Sequence, residues 1–224
     1  MKAGNIAYKG PEDLPATIPV FPLPAALLLP RAEMPLNIFE PRYLSMIDTA
    51  LASNRIIGMI QPDEQAPPCP QGSSLCTVGC TGRITAFAET GDNRYMVTLT
   101  GIARFQVVEE LSTTTPFRQC RISAEPYCSD FTGFDDNEAV DRGTVLATFR
   151  AYLDAHNLET DWDSVDDASN ETLINALAMM APFGPAEKQA LLEAPDLKSR
   201  AETLVAITEM SLARNPATGN TSLQ

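Results

Sequence analysis

The sequence has little positive charge, one histidine and no long hydrophobic run. Its 224 residues include 16 Lys and Arg against 29 Asp and Glu, which gives a net charge of −13. Phosphates are bound through clustered Lys and Arg, so this balance argues against a nucleic-acid partner and an anionic membrane surface. No stretch approaches the roughly 18 apolar residues that cross a bilayer, and residues 1–15 lack the apolar core of a secretory signal. We therefore predict a cytoplasmic protein.

Motifs for catalysis are also missing. A phosphate-binding loop needs Gly-x4-Gly-Lys-Ser/Thr, and no such run is present. His156 falls near the end of a predicted helix, where capping the last carbonyls is favoured over a role in a Cys/His hydrolase. The spacing of the cysteines fits no familiar pair of zinc ligands. We interpret all five as free thiols: Cys69, Cys76, Cys80, Cys120 and Cys128.

Residues 161–167 are rich in Asp and raise the question of a calcium site. An EF-hand loop that began at Asp161 would need Gly at its sixth position and Glu at its twelfth, where the chain has Asp166 and Thr172. We interpret the segment as a solvated acidic connector that caps the following helix. Trp162 within it is either an anchor on the helices or an exposed contact. No metal and no cofactor are predicted.

What the sequence does have is a densely apolar opening that is broken by proline. Residues 18–30 include Pro19, Pro22, Pro24 and Pro30, and each removes a backbone donor and obstructs a continuous helix. Prolines in sheets are confined to edges and bulges. The opening is therefore predicted to form short extended pieces around a β core, with one strand edge incompletely paired.

The residues that follow alternate between helix and strand signals. A helix is predicted over residues 41–53, a strand over 56–60 and a mobile loop over 62–74. Short consecutive strands then run to residue 125, with a hairpin loop at 89–94 and Gly101 as a bulge or tight bend. This spacing favours an antiparallel, partly closed barrel.

Beyond Asp130 the hydrophobic period becomes helical. Helices are predicted at 137–156, around 173–180, from Pro185 to about 194, and at 197–212, the last of them capped by Asp196. The charge changes at the same place: residues 1–128 hold 10 basic and 12 acidic residues, and residues 129–224 hold 6 and 17. Strands followed by helices indicate an α+β protein.

Five blocks of sequence, which together span most of the chain, form a recognisable series. They are Pro19-Val-Phe-Pro-Leu23, Met34-Pro-Leu-Asn-Ile-Phe-Glu-Pro-Arg-Tyr43, Val78-Gly-Cys-Thr-Gly-Arg-Ile84, Val97-Thr-Leu-Thr-Gly-Ile-Ala-Arg-Phe105 and Glu187-Lys-Gln-Ala-Leu-Leu-Glu-Ala-Pro-Asp-Leu197. In this order the blocks resemble the N-terminal, substrate-binding domain of Lon proteases, especially its stand-alone bacterial form.

The resemblance implies a fold that agrees with the pattern. It consists of an N-terminal PUA-like antiparallel pseudo-barrel with one helix, followed by a C-terminal helical bundle. We therefore predict a flexible arm at residues 1–17, the β domain at 18–129, the bundle at 130–214 and a disordered tail at 215–224.

Candidate binding residues lie in the first two of these blocks. Phe21, Leu23, Phe39 and Tyr43 are expected to line an apolar groove for an extended peptide. The alternative is that these side chains belong to the barrel core, and for Phe21 and Phe39 the core is favoured. Glu40 and Arg42 either pair to fix the start of the helix, which is favoured, or contact a partner.

The resemblance implies a non-catalytic module that binds unfolded or degron-bearing polypeptides in protein quality control. The chain carries neither the ATPase motifs nor the Ser/Lys peptidase module of Lon proteases. Two alternatives stay open, an RNA-binding PUA-like module and an undetected hydrolase, because a fold alone does not determine function. The sequence does not determine the oligomeric state.

Overall fold

A computed structural model of the protein describes residues 1–67, 72–133, 140–156, 165 and 167–214. Within these residues the chain forms two compact units. The first draws on the described residues within 1–133 and 182–192, and the second on the described residues within 134–181 and 193–224. Cys69, Trp162 and the predicted tail at 215–224 lie outside the described residues.

The strands all belong to the first unit, and the helices are shared between the two. The strands are β1 (Lys2–Ala3), β2 (Ile6–Ala7), β3 (Thr17–Pro22), β4 (Glu33–Ile38), β5 (Ile56–Asp63), β6 (Ser74–Glu89), β7 (Tyr95–Leu111) and β8 (Gln119–Ser123). The helices are α1 (Pro41–Leu51), α2 (Arg142–His156), α3 (Asn170–Met180), α4 (Pro185–Glu193) and α5 (Leu197–Arg214).

Five strands close into a barrel in the order β7-β6-β5-β3-β8, because β7 also pairs with β8. Closure depends on β3, which pairs with β5 on one side and with β8 on the other. The predicted open edge in the proline-rich opening is therefore wrong, and so is partial closure. The β3–β5 pair is also parallel, whereas every other pair in the barrel is antiparallel.

The sixth strand, β4, extends the sheet by pairing with β7. The barrel core is filled by apolar residues that the strands direct inward, among them Ile18, Val20, Ile102 and Phe105. The mixed α+β class is confirmed. β-Branched and aromatic side chains pack well on a sheet, and in a small barrel the inward-facing side chains fill the interior.

Two long, bent strands replace the several short strands that the sequence suggested. β6 and β7 pair along most of their length, with register shifts at Thr81/Gly82 and Ile84/Ala86. Gly82 faces Gly101 while Thr81 faces Ala103, so the predicted irregularity at Gly101 is confirmed as a bulge. A Cβ atom at Gly101 would overlap the carbonyl oxygen of Leu29, so only glycine allows the proline-rich segment to approach so closely.

The first residues are packed on the barrel, and the predicted flexible arm at residues 1–17 is therefore wrong. β1 and β2 form a hairpin, and Ala3 and Tyr8 belong to the buried core. The amino group of Met1 donates to the carbonyl oxygen of Phe131 at 2.6 Å. Burial of Ala3 and Tyr8 against the core offsets the entropy of ordering this short segment.

Residues 182–192 return to the barrel unit, although the sequence placed them inside an uninterrupted bundle. The buried side chain of Gln61 donates to the carbonyl oxygen of Pro185 at 3.0 Å and to Gln189 at 3.3 Å. Gln189 in turn donates to the carbonyl oxygen of Val78 at 3.1 Å. These bonds satisfy buried polar groups on β5 and β6 and hold α4 on the barrel.

The second unit contains α2, α3 and α5. Ser169 caps α3 by accepting a hydrogen bond from the backbone of Thr172. Most of the predicted acidic connector at residues 161–167 lies outside the described residues. The predicted cap of α5 is confirmed: Asp196 accepts from the backbone of Ser199 at 2.7 Å. This bond lowers the pKa of the Asp196 carboxyl. Among the described helices, none is long and apolar enough for a bilayer span.

Candidate functional site

A groove of about 380 Å³ opens on the barrel unit beside β4. It is lined by residues 21–24 at the end of β3, residues 35–40 of β4 and the turn that follows it, and residues 42–43 of α1. We call it the β3–β4 groove. All six residues that the sequence singled out for binding are in this lining: Phe21, Leu23, Phe39, Glu40, Arg42 and Tyr43.

The floor of the groove is aromatic. The rings of Phe21 and Tyr43 lie 4.2 Å apart at an angle of 44°, and both side chains are buried. Burial raises the pKa of the Tyr43 hydroxyl, and the nearby Arg42 partly opposes that shift. The core alternative is therefore correct for Phe21, whose ring still contributes to the groove lining.

Phe39 differs from Phe21, because the residue is 60% exposed. The preference for a core position at Phe39 is wrong. Leu36 and Ile38 are buried on the inner face of β4. The period of two along the strand therefore directs Phe39 outward, on the same side as the exposed Asn37.

Glu40 and Arg42 form an ion pair at the start of α1. The Nη2 atom of Arg42 lies 2.8 Å from Oε2 of Glu40, and about half of each side chain is exposed. The carbonyl oxygen of Glu40 accepts from the backbone of Tyr43 and Leu44, while Pro41 occupies the first helical turn. The favoured structural pairing is observed, and at this exposure it is worth about 0–1 kcal/mol.

The aromatic surface continues past the groove onto the β6–β7 hairpin, which sequence reasoning did not connect with the site. The guanidinium of Arg94 lies 5.9 Å from the centre of the Phe39 ring. Beyond it, Phe87 and Tyr95 stack edge to face at 4.9 Å. Arg94 was found only through the pairing of β4 with β7, which places the hairpin loop next to the end of β4.

The proline-rich segment at residues 23–30, of which Leu23 and Pro24 line the groove, is fixed by backbone contacts. The side chain of Gln61 accepts a hydrogen bond from the backbone of Ala25 at 3.0 Å, and Leu23 donates to the carbonyl oxygen of Ile60. Arg31 donates to the carbonyl oxygen of Gly101 at 2.9 Å. The proline-rich segment is thus held to β5 and β7 at both ends.

A buried ion pair joins β7 to the 3-10 helix that follows β8. Arg104 on β7 and Asp130 are 1% and 0% exposed, and their side chains meet at 2.8 Å. The guanidinium also donates to the carbonyl oxygen of Leu192 at 3.3 Å and lies 4.7 Å from the Tyr127 ring. Burial alone would lower the pKa of Arg104, but its hydrogen bonds to Asp130 and the charge of Asp130 raise it.

The other candidates for chemistry are dispersed. Cys76, Cys80, Cys120 and Cys128 are free thiols, and burial raises the pKa of Cys120 to about 11. In the part of the chain that the structure describes, no group of three or more His, Cys, Asp or Glu side chains is placed to hold a metal ion. His156 is the last residue of α2, and the described residues do not include its side chain.

Comparison with known proteins assigns the chain to a family. A model of the ATP-dependent protease La (LON) substrate-binding domain matches residues 17–209. The chain belongs to this family. The first two sequence blocks of this Lon substrate-binding domain form β3, β4 and the start of α1, and they therefore build the groove. The third block lies in β6. The fourth lies in β7 and contains both Gly101 and Arg104.

Related sequences are longer proteins. Lon protease 2 of Myxococcus xanthus is 26% identical over 193 residues, which are 84% of this chain and 23% of that protein. Lon protease 2 of Sorangium cellulosum is 27% identical over 219 residues, which are 95% of this chain and 27% of that protein. The chain thus spans about a quarter of the length of these curated relatives.

Solved structures share the fold of this Lon substrate-binding domain. A Lon N-terminal domain protein from Xanthomonas campestris has a TM-score of 0.60 at 22% identity, with 85% of this chain and 97% of that chain covered. The N-terminal domain of the Mycobacterium avium complex Lon protease has a TM-score of 0.59 at 18% identity, with 86% and 98% covered.

Proposed function

We propose that this chain is a non-catalytic module that captures unfolded or degron-bearing polypeptides in protein quality control. The β3–β4 groove is the proposed site, with Phe21, Leu23, Phe39 and Tyr43 as its apolar contacts. Glu40 and Arg42 form its polar rim. We place this role in the cytoplasm, in keeping with the free thiols.

The observation that carries the proposal is the exposure of Phe39 above an aromatic floor. Exposed aromatic rings beside a concave apolar surface are typical of sites that bind side chains of a partner. The volume of about 380 Å³ is at the lower end of the range for ligand sites and suits a few side chains of a peptide. The groove is built from two blocks within the family match, whose description names substrate binding.

The expected affinity is modest. A short peptide in an open groove buries a small interface, for which dissociation constants of about µM to mM are typical. Both charges of the rim are already paired with each other, so we expect apolar burial to dominate over ionic contacts. Binding should therefore depend weakly on salt.

The non-catalytic part of the proposal rests on the residues themselves. The chain has one histidine and no phosphate-binding loop motif, and the pKa shifts in the groove concern a buried tyrosine hydroxyl. Mutation of His156 and of each cysteine should leave polypeptide binding unchanged. A hydrolytic activity that any of these substitutions abolishes would contradict the proposal.

The test compares binding to a reduced and alkylated protein that stays unfolded with binding to its folded, disulfide-intact form. We expect the unfolded form alone to bind. Phe39→Ser should weaken that binding about tenfold or more. Val108→Ser is the matched control, because Val108 is 56% exposed and lies outside the groove lining.

Two results would count against the proposal. One is equal binding of folded and unfolded protein, and the other is equal loss of binding in Phe39→Ser and Val108→Ser. A gel-shift assay with RNA tests the RNA-binding alternative, which predicts a salt-sensitive shift at physiological ionic strength. We expect no shift from a chain with a net charge of −13.

A further inference from the structure

β4 is the edge strand of the sheet. Among the described strands it is paired with β7 alone, whereas the barrel strands are paired on both sides. Edge strands carry a row of backbone N–H and C=O groups that can pair with another extended chain. Pro35 lies in the middle of β4, which agrees with the confinement of proline to sheet edges.

The register identifies which backbone groups point away from β7. Gly101 bonds to Arg31 and Ala32 through both its N–H and its C=O, so a hydrogen-bonded position lies opposite Gly101. Antiparallel ladders alternate between bonded and non-bonded pairs. When this alternation is continued from Gly101 along the observed register, the backbone groups of Met34, Leu36 and Ile38 are the ones that hydrogen-bond to β7.

The backbone groups of Glu33, Pro35 and Asn37 therefore point to the free edge. Pro35 has no N–H, which independently fits a position that makes no donor bond to β7. Asn37 is thus the outward-facing residue with both a donor and an acceptor at the end of β4 that adjoins the groove.

The free edge and the β3–β4 groove coincide. Five consecutive residues, 35–39, line the groove. Successive side chains of a strand point to opposite faces, so a cavity that touches all five reaches the backbone edge itself. The cavity therefore offers backbone partners along one side and the rings of Phe21 and Tyr43 on its floor.

We propose that the bound polypeptide adds to β4 as an extra strand. The N–H and C=O of Asn37 pair with one residue of the incoming segment, and the C=O of Pro35 accepts one further hydrogen bond. An apolar side chain of the segment packs on Phe21 and Tyr43. This inference rests on the proposed function and names its substrate class: extended segments with free backbone N–H groups, as opposed to helices.

The length of the paired segment is limited by Pro35. Because this residue offers no donor, the ladder is interrupted one step beyond Asn37. The site therefore takes a short segment, and this limit also hinders edge-to-edge association of two copies of the chain. The main-chain bonds supply affinity without sequence information, while the aromatic floor selects apolar side chains.

The first test changes the backbone at position 37 and keeps the fold. Asn37→Pro removes the outward N–H, while the ladder bonds of Leu36 and Ile38 to β7 remain. Asn37→Ala is the matched control, because it removes the side chain and keeps the N–H. We expect Asn37→Pro to weaken binding of a short fluorescent peptide of alternating leucine and threonine about tenfold, and Asn37→Ala to leave it near the wild-type value. Circular dichroism and thermal unfolding report whether each variant is folded.

The second test leaves the protein unchanged and modifies the peptide. In an extended peptide of alternating leucine and threonine, all leucine N–H groups point to one edge and all threonine N–H groups to the other. N-methylation of every leucine or of every threonine therefore blocks one edge at a time. We expect one methylated isomer to bind like the parent peptide and the other to bind at least about tenfold more weakly.

The possible outcomes separate the two proposals. If both isomers bind like the parent peptide, strand addition is overturned and the groove remains a side-chain site. If the parent peptide and the unfolded protein both fail to bind, the proposed function fails and the inference fails with it. Concentration-dependent dimerisation that Asn37→Pro abolishes would assign the edge to a second copy and also overturn the inference.

Discussion

Arg104 donates to the carboxylate of Asp130 three times. The backbone N–H and Nε both bond to Oδ2 at 2.9 Å, and Nη2 bonds to Oδ1 at 2.8 Å. The two residues are separated by 26 positions, and both are almost completely buried. The pair therefore ties β7 to the short 3-10 helix that follows β8, and the Leu192 carbonyl joins the same guanidinium.

Loss of one partner of this pair should be costly. Asp130→Ala would leave the Arg104 guanidinium buried without its carboxylate, so we expect a loss of about 3–5 kcal/mol in the free energy of unfolding. Glu109→Ala is the control, because the Glu109–Arg121 pair is about half exposed and should contribute less than about 1 kcal/mol. Urea unfolding measures both, and equal losses would contradict a special role for the buried pair.

Gly101 should tolerate no side chain. Its added Cβ would overlap the Leu29 carbonyl oxygen, a backbone atom held in place by the turn at Arg31 and Ala32. We expect Gly101→Ala to lower the free energy of unfolding by at least about 2 kcal/mol.

Gly143→Ala provides the comparison, since Gly143 lies in α2 and an added Cβ there would only contact Oδ1 of Asp141 at 3.4 Å, an ordinary van der Waals distance. Its stability should stay unchanged or rise by up to about 1 kcal/mol. Thermal unfolding of the two variants and of the wild type measures these changes in stability. A Gly101→Ala protein as stable as the wild type would mean that residues 23–30 can move away from β7.

Stability should depend on the charge of Lys188. This side chain is 2% exposed, and burial lowers its pKa from 10.5 to about 8. Between these two values the unfolded chain binds more protons than the folded chain, so the contribution of Lys188 to stability improves as the pH rises from 8 to 10.5. The expected gain is about 1–3 kcal/mol.

The measurement is the difference in unfolding free energy between wild type and Lys188→Met across this pH range. The difference removes the opposite contributions of Tyr43 and Cys120, whose raised pKa values make stability fall at high pH in both proteins. The advantage of Lys188→Met should shrink as the pH rises. A constant difference would show that Lys188 has an ordinary pKa.

The described thiols should differ in reactivity. Cys120 is fully buried with its pKa raised to about 11, whereas Cys128 is exposed. At pH 8 iodoacetamide should modify Cys128 more than about tenfold faster than Cys120, because the thiolate is the reactive species. Mass spectrometry of the modified peptides follows both sites. In denaturant the two rates should converge, and fast modification of Cys120 in the native protein would contradict its burial in the barrel.

Local patterns in the sequence predicted the parts of the molecule that local interactions determine. Helix α1 begins at Pro41 as expected, the cap of α5 is Asp196, and Gly101 lies at a bulge. The six candidate residues of the groove are close in sequence, within residues 21–43, and the structure brings them together. Their role in binding stays a prediction.

Long-range pairing accounts for the differences. Barrel closure requires the parallel pairing of β3 with β5 and a second partner for β3 in β8, which no local pattern encodes. Phe39 is exposed because the pairing of β4 with β7 turns Leu36 and Ile38 inward, which directs the next side chain outward. The packing of α4 on the barrel depends on Gln61 and Gln189, which are 128 positions apart. The remaining domain boundaries of the sequence prediction stay predictions.

Because residues 182–192 belong to the barrel unit, any fragment that is meant to contain an intact barrel must include them. A fragment that stops at residue 133 would lose the Pro185 and Leu192 carbonyls. Buried hydrogen-bond donors of Gln61 and Arg104 would then be left without these acceptors. Shortening the chain from its C-terminus therefore cannot isolate an intact barrel. Fusion of residue 133 to residue 182 through a flexible linker, with 193–224 removed, is the excision that keeps these bonds.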